Sequence, residues 1–283
     1  MSTLHDVAGR IALVVSSCDD FCDTWRPFAY FFAKFWPDCP FAAFLIVNNI
    51  AVTSDLLKPI AVGSDRGWAS NFRYALGRIP HDYVLYLQDD YFIEQPVDTH
   101  QILEDCAWCI EHDVDSLCFS AYPEPQPGFE PVTERFGRAP RDSDGRTRCQ
   151  FALWKKSALL EVLREGETAW EMESRGSDRT RDMEVLVYTR PENTPMRYFS
   201  SAIIRSLWVP EALAMCDANG IPVRPRIRGL YRPGQNSKKL RRAASRMALR
   251  MWSAMRGGAP IDLHREALIS RVSNERETFS PTR

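Results

Sequence analysis

The sequence predicts an α/β protein: a mainly parallel sheet with helices on both faces. Three observations carry that expectation. Short β-branched apolar runs alternate with amphipathic stretches through the first half, as strand–helix–strand units do. The runs are compact and apolar, as strands buried on both faces are. They end in the polar groups "SSCDD", "NN" and "QDD", and open α/β sheets gather ligands at such strand ends.

In order, "RIALVVSS" (10–17) reads as a buried strand. "TWRPFAYFFAKFWP" follows with apolar residues at helical spacing and stops at Pro37. "FAAFLIVNN" (41–49) is a second strand, and "GWASNFRYALGRI" (67–79) a helix with Pro80 beyond its end. "DYVLYLQDD" is the next strand, "THQILEDCAWCIEHD" (99–113) a helix, and "SLCFSAY" (116–122) strand-like. The Pro-, Gly- and charge-rich stretch 122–148 reads as a long irregular loop over the site, a length that is often functional. "CQFALWKKSALLEVLREG" begins as a strand or turn and continues as an amphipathic helix. "ETAWEMES" is taken as extended, with a charged helix start, its early glutamates favouring the macrodipole, as the alternative. Residues 193–223 give a strand and a helix stopping at Asn219-Gly220.

The expected division is a main domain over 1–235 and a basic helical extension over 236–283. From Ala218 to Ile261 there are eleven Lys and Arg and no acid. Within that stretch, 238–256 reads as an amphipathic helix, either lying on an anionic membrane surface or packing on the domain.

The chain has 283 residues, is 45% hydrophobic and 26% charged, and carries a formal net charge of −1. That balance argues against global disorder and against bulk nucleic-acid binding. Eight cysteines include one C-x-x-C, Cys106 and Cys109, inside a predicted helix. With no second pair at zinc-site spacing, these read as small buried thiols. "MSTLHDVAGR" has no apolar core region, and no window is long and apolar enough to span a bilayer. A reduced, cytoplasmic setting, with peripheral contact at the inner face of the membrane, is the expectation.

The chemistry centres on "YVLYLQDDYFI" (83–93), where Asp89 and Asp90 interrupt an apolar run. A buried carboxylate without a partner costs several kcal/mol. A hard divalent cation, Mg²⁺ or Mn²⁺, shared with substrate phosphates would offset the clustered charge. The alternative is a solvated turn pair. Ser16, Ser17, Asp19 and Asp20 could line a nucleotide pocket, or an aspartate there could cap the following helix. In "TAWEMES", alternation on an extended segment puts Glu171 and Glu173 on one side. Either could serve as a general base, Glu173 preferred, with Trp170 as a sugar platform.

Together "SSCDDFCDTWRPFAYFFAKFWPDCPF", "LQDDYFI" and "WEMES" resemble glycosyltransferases of the GT-A fold. The nearest likeness is to small bacterial proteins of capsule and lipopolysaccharide clusters, over about residues 10 to 232. The resemblance implies a Rossmann-like, nucleotide-binding mixed sheet. It further implies a nucleotide-sugar donor (UDP- or GDP-linked) and a glycan or lipid-linked glycan acceptor. The divalent cation would sit on Asp90, with Asp89 as second ligand or sugar contact. By the same likeness Arg66, Asn71 and Arg73 would contact the nucleotide. Arg228 and Arg232 would neutralise the leaving diphosphate, and His264 is a conceivable further metal ligand. Gln88 departs from the pattern, since many members carry a third acid there. A nucleotidyltransferase and an inactive nucleotide-sugar-binding module are the rival readings. The absence of Gly from "SSCDDFCDTW" counts against the first. Transfer is expected to invert, and a retaining route is also open.

Overall fold

The computed structural model describes residues 3–122, 128–234, 247–248 and 258–269. The helix expected over 238–256 therefore lies outside the described residues, apart from 247–248. In chain order the elements are α1 (Leu4–Gly9), β1 (Ile11–Ser16), α2 (Trp25–Phe35), β2 (Ala42–Val47), β3 (Val52–Thr53), β4 (Lys58–Ala61), α3 (Trp68–Leu76), β5 (Tyr83–Gln88) and β6 (Phe92–Ile93). Then come α4 (Thr99–Glu111), β7 (Ser116–Cys118), β8 (Glu130–Pro131), β9 (Phe136–Arg138), β10 (Ala152–Lys155), α5 (Lys156–Val162), α6 (Ala169–Arg179) and β11 (Val185–Tyr188). Last are β12 (Tyr198–Phe199), β13 (Ile203–Ile204), β14 (Leu207–Trp208), α7 (Pro210–Ala218), α8 (Pro225–Arg228) and β15 (Ile261–Asp262).

Nine strands form the central sheet in the order β4-β2-β1-β5-β10-β7-β11-β9-β8. β4, β2, β1 and β5 run parallel. β10 is inserted antiparallel between β5 and β7. The mixed, mainly parallel sheet is thus as expected, and its helices cover both faces. All six residues of β1 are buried. Its side chains alternate between two cores, because successive strand residues point to opposite faces. Ile11, Leu13 and Val15 join Trp25, Phe28 and Phe31 of α2. Ala12 and Val14 join Phe72 and Leu76 of α3.

Three expectations need correction. First, "TAWEMES" is helical. Thr168 caps α6 through a capping box with Glu171, and that local signal outweighs the apparent alternation. Second, the stretch 122–148 is not wholly irregular: Phe136–Arg138 pairs with β11, and Glu130–Pro131 with β9. Third, residues beyond the expected boundary return to the main body. Ile261 and Asp262 pair with Val52 and Thr53, and Leu263 and Leu268 are buried in the same core as α2.

The eight cysteines are free thiols, and Cys106 and Cys109 are buried in α4. Among the described residues no helix is long and apolar enough to cross a membrane.

Candidate functional site

The acid pair sits in the tight turn where β5 gives way to β6, with the Tyr91 N–H donating to the Gln88 carbonyl (3.2 Å). Register brings the neighbouring strand end alongside. Ser16 pairs with Gln88, so Ser17 falls beside Asp89. Ser17 Oγ and Thr24 Oγ1 donate to Asp89 Oδ2 at 2.6 and 2.7 Å. Trp25 Nε1 in turn donates to Ser17 Oγ (2.6 Å). Asp90 is held from the other side by the segment entering β13. Ala202 N–H donates to its carbonyl (2.9 Å) and Ile203 N–H to Oδ2 (3.4 Å). The β13–β14 hairpin closes through Arg205 and Ser206, both at positive φ (51° and 65°), which matches the twist of a two-residue hairpin turn.

Both carboxylates are buried, 5% and 6% exposed. Burial pushes both above the ordinary carboxylate range, and for Asp89 the charge of Asp90 adds to the rise. Arg228, itself 2% exposed, acts by its charge against both rises. It is already bound to Asp23, Nε to both oxygens at 3.0 and 2.8 Å and Nη2 to Oδ1 at 2.7 Å. Among the described residues Arg228 thus acts on three carboxylates, Asp23, Asp89 and Asp90. Two adjacent carboxylates form the donor set a hard divalent cation takes when water and substrate phosphates supply the rest. Asp89 and Asp90 therefore fit Mg²⁺ or Mn²⁺ by chemistry and by charge. Among the described residues no group of three or more possible ligands stands together. His264 pairs instead with Asp262 (2.8 Å), so it does not complete a set.

A third carboxylate approaches the same turn. Glu173 lies on α6, and its Oε1 accepts from the Cys149 N–H at 2.6 Å. The carbonyl of that same Cys149 accepts from Gln88 Nε2 (3.0 Å) and from the Tyr91 hydroxyl. α6 can come this close because residue 176 is glycine: a Cβ there would stand 2.7 Å from Thr147 Oγ1. Thr147 Oγ1 fastens the contact by donating to the Glu173 carbonyl (2.9 Å). Tyr91 stacks on Tyr198 (centroids 4.9 Å apart, planes at 18°). The Tyr198 hydroxyl donates to Gln150 Oε1 (2.7 Å). Around the acid turn lies a wall of Gln88, Tyr91, Gln150, Glu173 and Tyr198. Of these the sequence pointed only to Glu173 and to the oddity of Gln88. The aromatic and amide members carry no motif, although Tyr91 directly follows the acids.

Several expected site residues have protein partners. Asp19 accepts from the N–H groups of Asn48 (2.8 Å), Asn49 (2.8 Å) and Ile50 (3.1 Å). It ties the end of β1 to the end of β2. Asp19 and Asp20 lie in a 3-10 turn, Asp19–Phe21, and neither caps α2, which starts at Trp25 after Thr24. Asp20 is buried, and its carbonyl receives Arg228 Nη2. Ser16 Oγ accepts from Trp68 Nε1 (2.9 Å), so both serines are turned toward protein partners.

Asn71 is buried and folds the loop before α3, donating to Asp65 Oδ1 (2.8 Å) and accepting from the Arg66 N–H (3.1 Å). Arg73 donates to the carbonyls of Leu160 and Leu163 at 2.6 and 3.2 Å, at the end of α5. Arg66 is exposed over the Tyr74 ring. Both arginines line an outer groove of about 590 Å³ together with Ser70, Tyr74, Leu160, Glu165 and Gly166, a set without any strand-end acid. Arg228 is the buried partner of Asp23, whereas Arg232 is exposed.

Glu171 is spent on the α6 cap. Its Oε2 accepts from the N–H and hydroxyl of Thr168 at 2.9 and 3.0 Å, and these bonds hold it below the usual carboxylate range. At 100° per residue Glu171 and Glu173 diverge on the helix, so only Glu173 reaches the turn. Trp170 is 76% exposed beside them.

No family model matches the sequence, and no curated protein matches it. Some solved structures share its outline. S. aureus TarS residues 1–349 in complex with UDP gives a TM-score of 0.44 at 13% identity, covering 65% of this chain and 58% of that one. The same TarS fragment with UDP-GlcNAc gives 0.40 at 13%, covering 69% and 62%. A cytidylyltransferase from Leptospira borgpetersenii gives 0.42 at 9%, covering 81% and 99%. The chain thus spans about three fifths of the TarS fragment. Likenesses of this degree carry no functional argument.

Proposed function

We propose that this chain is a glycosyltransferase that moves a sugar from a nucleoside diphosphate to a hydroxyl of a glycan, with inversion. The observation that carries this reading is the meeting of two carboxylate sites across one residue. Cys149 binds Glu173 through its N–H and the Gln88–Tyr91 turn through its carbonyl, so a potential base stands beside a potential cation–diphosphate site.

The roles follow from the residues. Glu173 takes the proton of the acceptor hydroxyl as its oxygen attacks the anomeric carbon. The new glycosidic C–O bond forms as the bond to the diphosphate breaks, and the bonding pair leaves on the diphosphate oxygen. Asp90, with Asp89, would hold Mn²⁺ or Mg²⁺, whose charge would stabilise that leaving group. Trp170, exposed next to Glu173 on α6, offers a flat apolar face for a sugar ring. Arg232 remains an exposed cation for the phosphates. The acceptor we infer is a growing bacterial surface glycan of capsule or lipopolysaccharide type, lipid-linked at the inner membrane face. The basic stretch 238–256 would contact that surface.

The test is a thermal-shift and product screen of UDP-glucose, UDP-GlcNAc and GDP-mannose, with and without Mn²⁺. A ligand of the native state raises the melting temperature. One donor is expected to do so in a Mn²⁺-dependent way, and Asp90→Asn to abolish that dependence. Glu173→Gln should retain the shift while lowering release of UDP or GDP by about 10²–10⁴-fold. Release of pyrophosphate from a nucleoside triphosphate would favour a nucleotidyltransferase. Binding without release would favour an inactive module, and no shift with any donor would sink the reading.

A further inference from the structure

We propose that Gln88 is a positioning residue for Glu173, acting through the backbone of Cys149; this rests on the reading of Glu173 as the base. Gln88 is the last residue of β5 and half-buried. Its amide does not face the acid pair as a third ligand. Its Nε2 donates to the Cys149 carbonyl at 3.0 Å, beside the Tyr91 hydroxyl on the same oxygen. Two donors on one carbonyl fix residue 149, and the N–H of that residue is what holds Glu173 Oε1 at 2.6 Å. The following residues are pinned as well: Gln150 Oε1 accepts from the Tyr198 hydroxyl (2.7 Å), and the Phe151 N–H donates to that hydroxyl's oxygen (3.2 Å). Among the described residues the Cys149 N–H is the one hydrogen-bond partner of the Glu173 carboxylate, so its placement depends on where residue 149 sits.

This accounts for the amide at position 88. An ionised acid has only acceptor oxygens, and would set a negative oxygen about 3 Å from the Cys149 carbonyl oxygen in the place of a donor. It would also add a third charge beside two carboxylates whose burial already disfavours ionisation. Glutamine keeps the reach of glutamate and supplies the N–H. The residue that departs from the resembled pattern thus serves the base rather than the cation.

The test pairs kinetics with amide exchange. Gln88→Glu, of nearly the same shape, should lower UDP or GDP release from UDP-glucose, UDP-GlcNAc or GDP-mannose by roughly tenfold to a hundredfold, the order that displacing a catalytic group costs. The donor KM should stay within about threefold, because loss of a transition-state interaction falls on kcat. In a Glu173→Gln background the same change should cost nothing further, since residues acting through one another are not additive. Independently of turnover, exchange of the Cys149 amide measured by NMR should quicken by roughly tenfold in Gln88→Glu, consistent with a weakened hydrogen bond, while the Leu153 amide in β10 stays protected. Should Gln88→Glu fail to fold, Tyr91→Phe removes the other donor to the same carbonyl and should show the same pattern at smaller size. Multiplicative losses in the double variant, or an unchanged Cys149 amide, would overturn the positioning role. Absence of nucleotide release from every donor by the wild type would instead overturn the glycosyltransferase reading, and the exchange measurement would still decide the tie.

Discussion

Burial disfavours the ionised forms of Asp89 and Asp90 in the folded chain. A carboxylate whose folded value is raised binds its proton more readily in the native state than in the unfolded one. The native state then takes up protons, and the pair's contribution to stability is largest at low pH. It is lost as pH climbs from the ordinary carboxylate range up toward neutrality. Asp89→Asn and Asp90→Asn should therefore flatten the fall in melting temperature between pH 5 and pH 8. Each should raise it at pH 8 by roughly 2–4 °C for every kcal/mol recovered. Asparagine keeps an oxygen for the Ser17 and Thr24 hydroxyls, so those bonds survive. Wild-type protein should gain more from Mn²⁺ at pH 8 than at pH 5. Identical pH slopes in wild type and both variants would refute the argument. At this scale the sequence was informative where chemistry is local. The acids were legible because two charges interrupt an apolar strand. The backbone partners of Asp19 were not legible, since they lie about thirty positions away at the end of β2 and no local pattern marks such a tie.

Helix α6 bears out the charged helix start over the extended reading. Thr168-Ala-Trp-Glu171 is a capping box, whereas the two glutamates spaced by two read as alternation. The first describes backbone donors at a helix start, the second only a face, and the backbone requirement prevails. The consequence is a division of labour between two glutamates three positions or less from one tryptophan. Glu171 holds the helix, and Glu173 extends from it toward the acid turn. Thr168→Ala should cost about 1 kcal/mol of stability, and Glu171→Gln less, since Gln also serves in a capping box. Turnover in Glu171→Gln should stay near wild type, read from melting curves and nucleotide release on the same samples. A loss in Glu171→Gln matching that of Glu173→Gln would return Glu171 to the chemistry. β11 was missed for a different reason. "VLVY" is only four residues, and its pairing with β7 and β9 comes from distant parts of the chain.

Across the whole molecule, the parallel strands and their order of alternation were legible because each strand–helix unit carries its own periodicity. The cover over the acid turn was not, since it is built by residues some 110 to 140 positions later. Ala202 and Ile203 bond Asp90, and Arg228 reaches back 205 positions to Asp23. Trp208 Nε1 joins the same carboxylate (3.1 Å), and Phe21 lies under the guanidinium (4.7 Å). This buried ion pair therefore fastens the late segment to the loop after β1. Removing one partner leaves an uncompensated buried charge, which costs about 3–5 kcal/mol. Arg228→Met should lower the melting temperature sharply, the more so because Arg228 also offsets Asp89 and Asp90. Adding Asp23→Leu should recover much of the loss, since an apolar pair of similar volume can replace a buried ion pair at little cost. A direct phosphate-binding role predicts otherwise: Arg228→Met would then weaken Mn²⁺-dependent donor binding while leaving the melting temperature of the free protein unchanged. Chemical denaturation and donor titration of the single and double variants separate these cases, and the two hydrogen-bonded carboxylate oxygens of Asp23 favour the first.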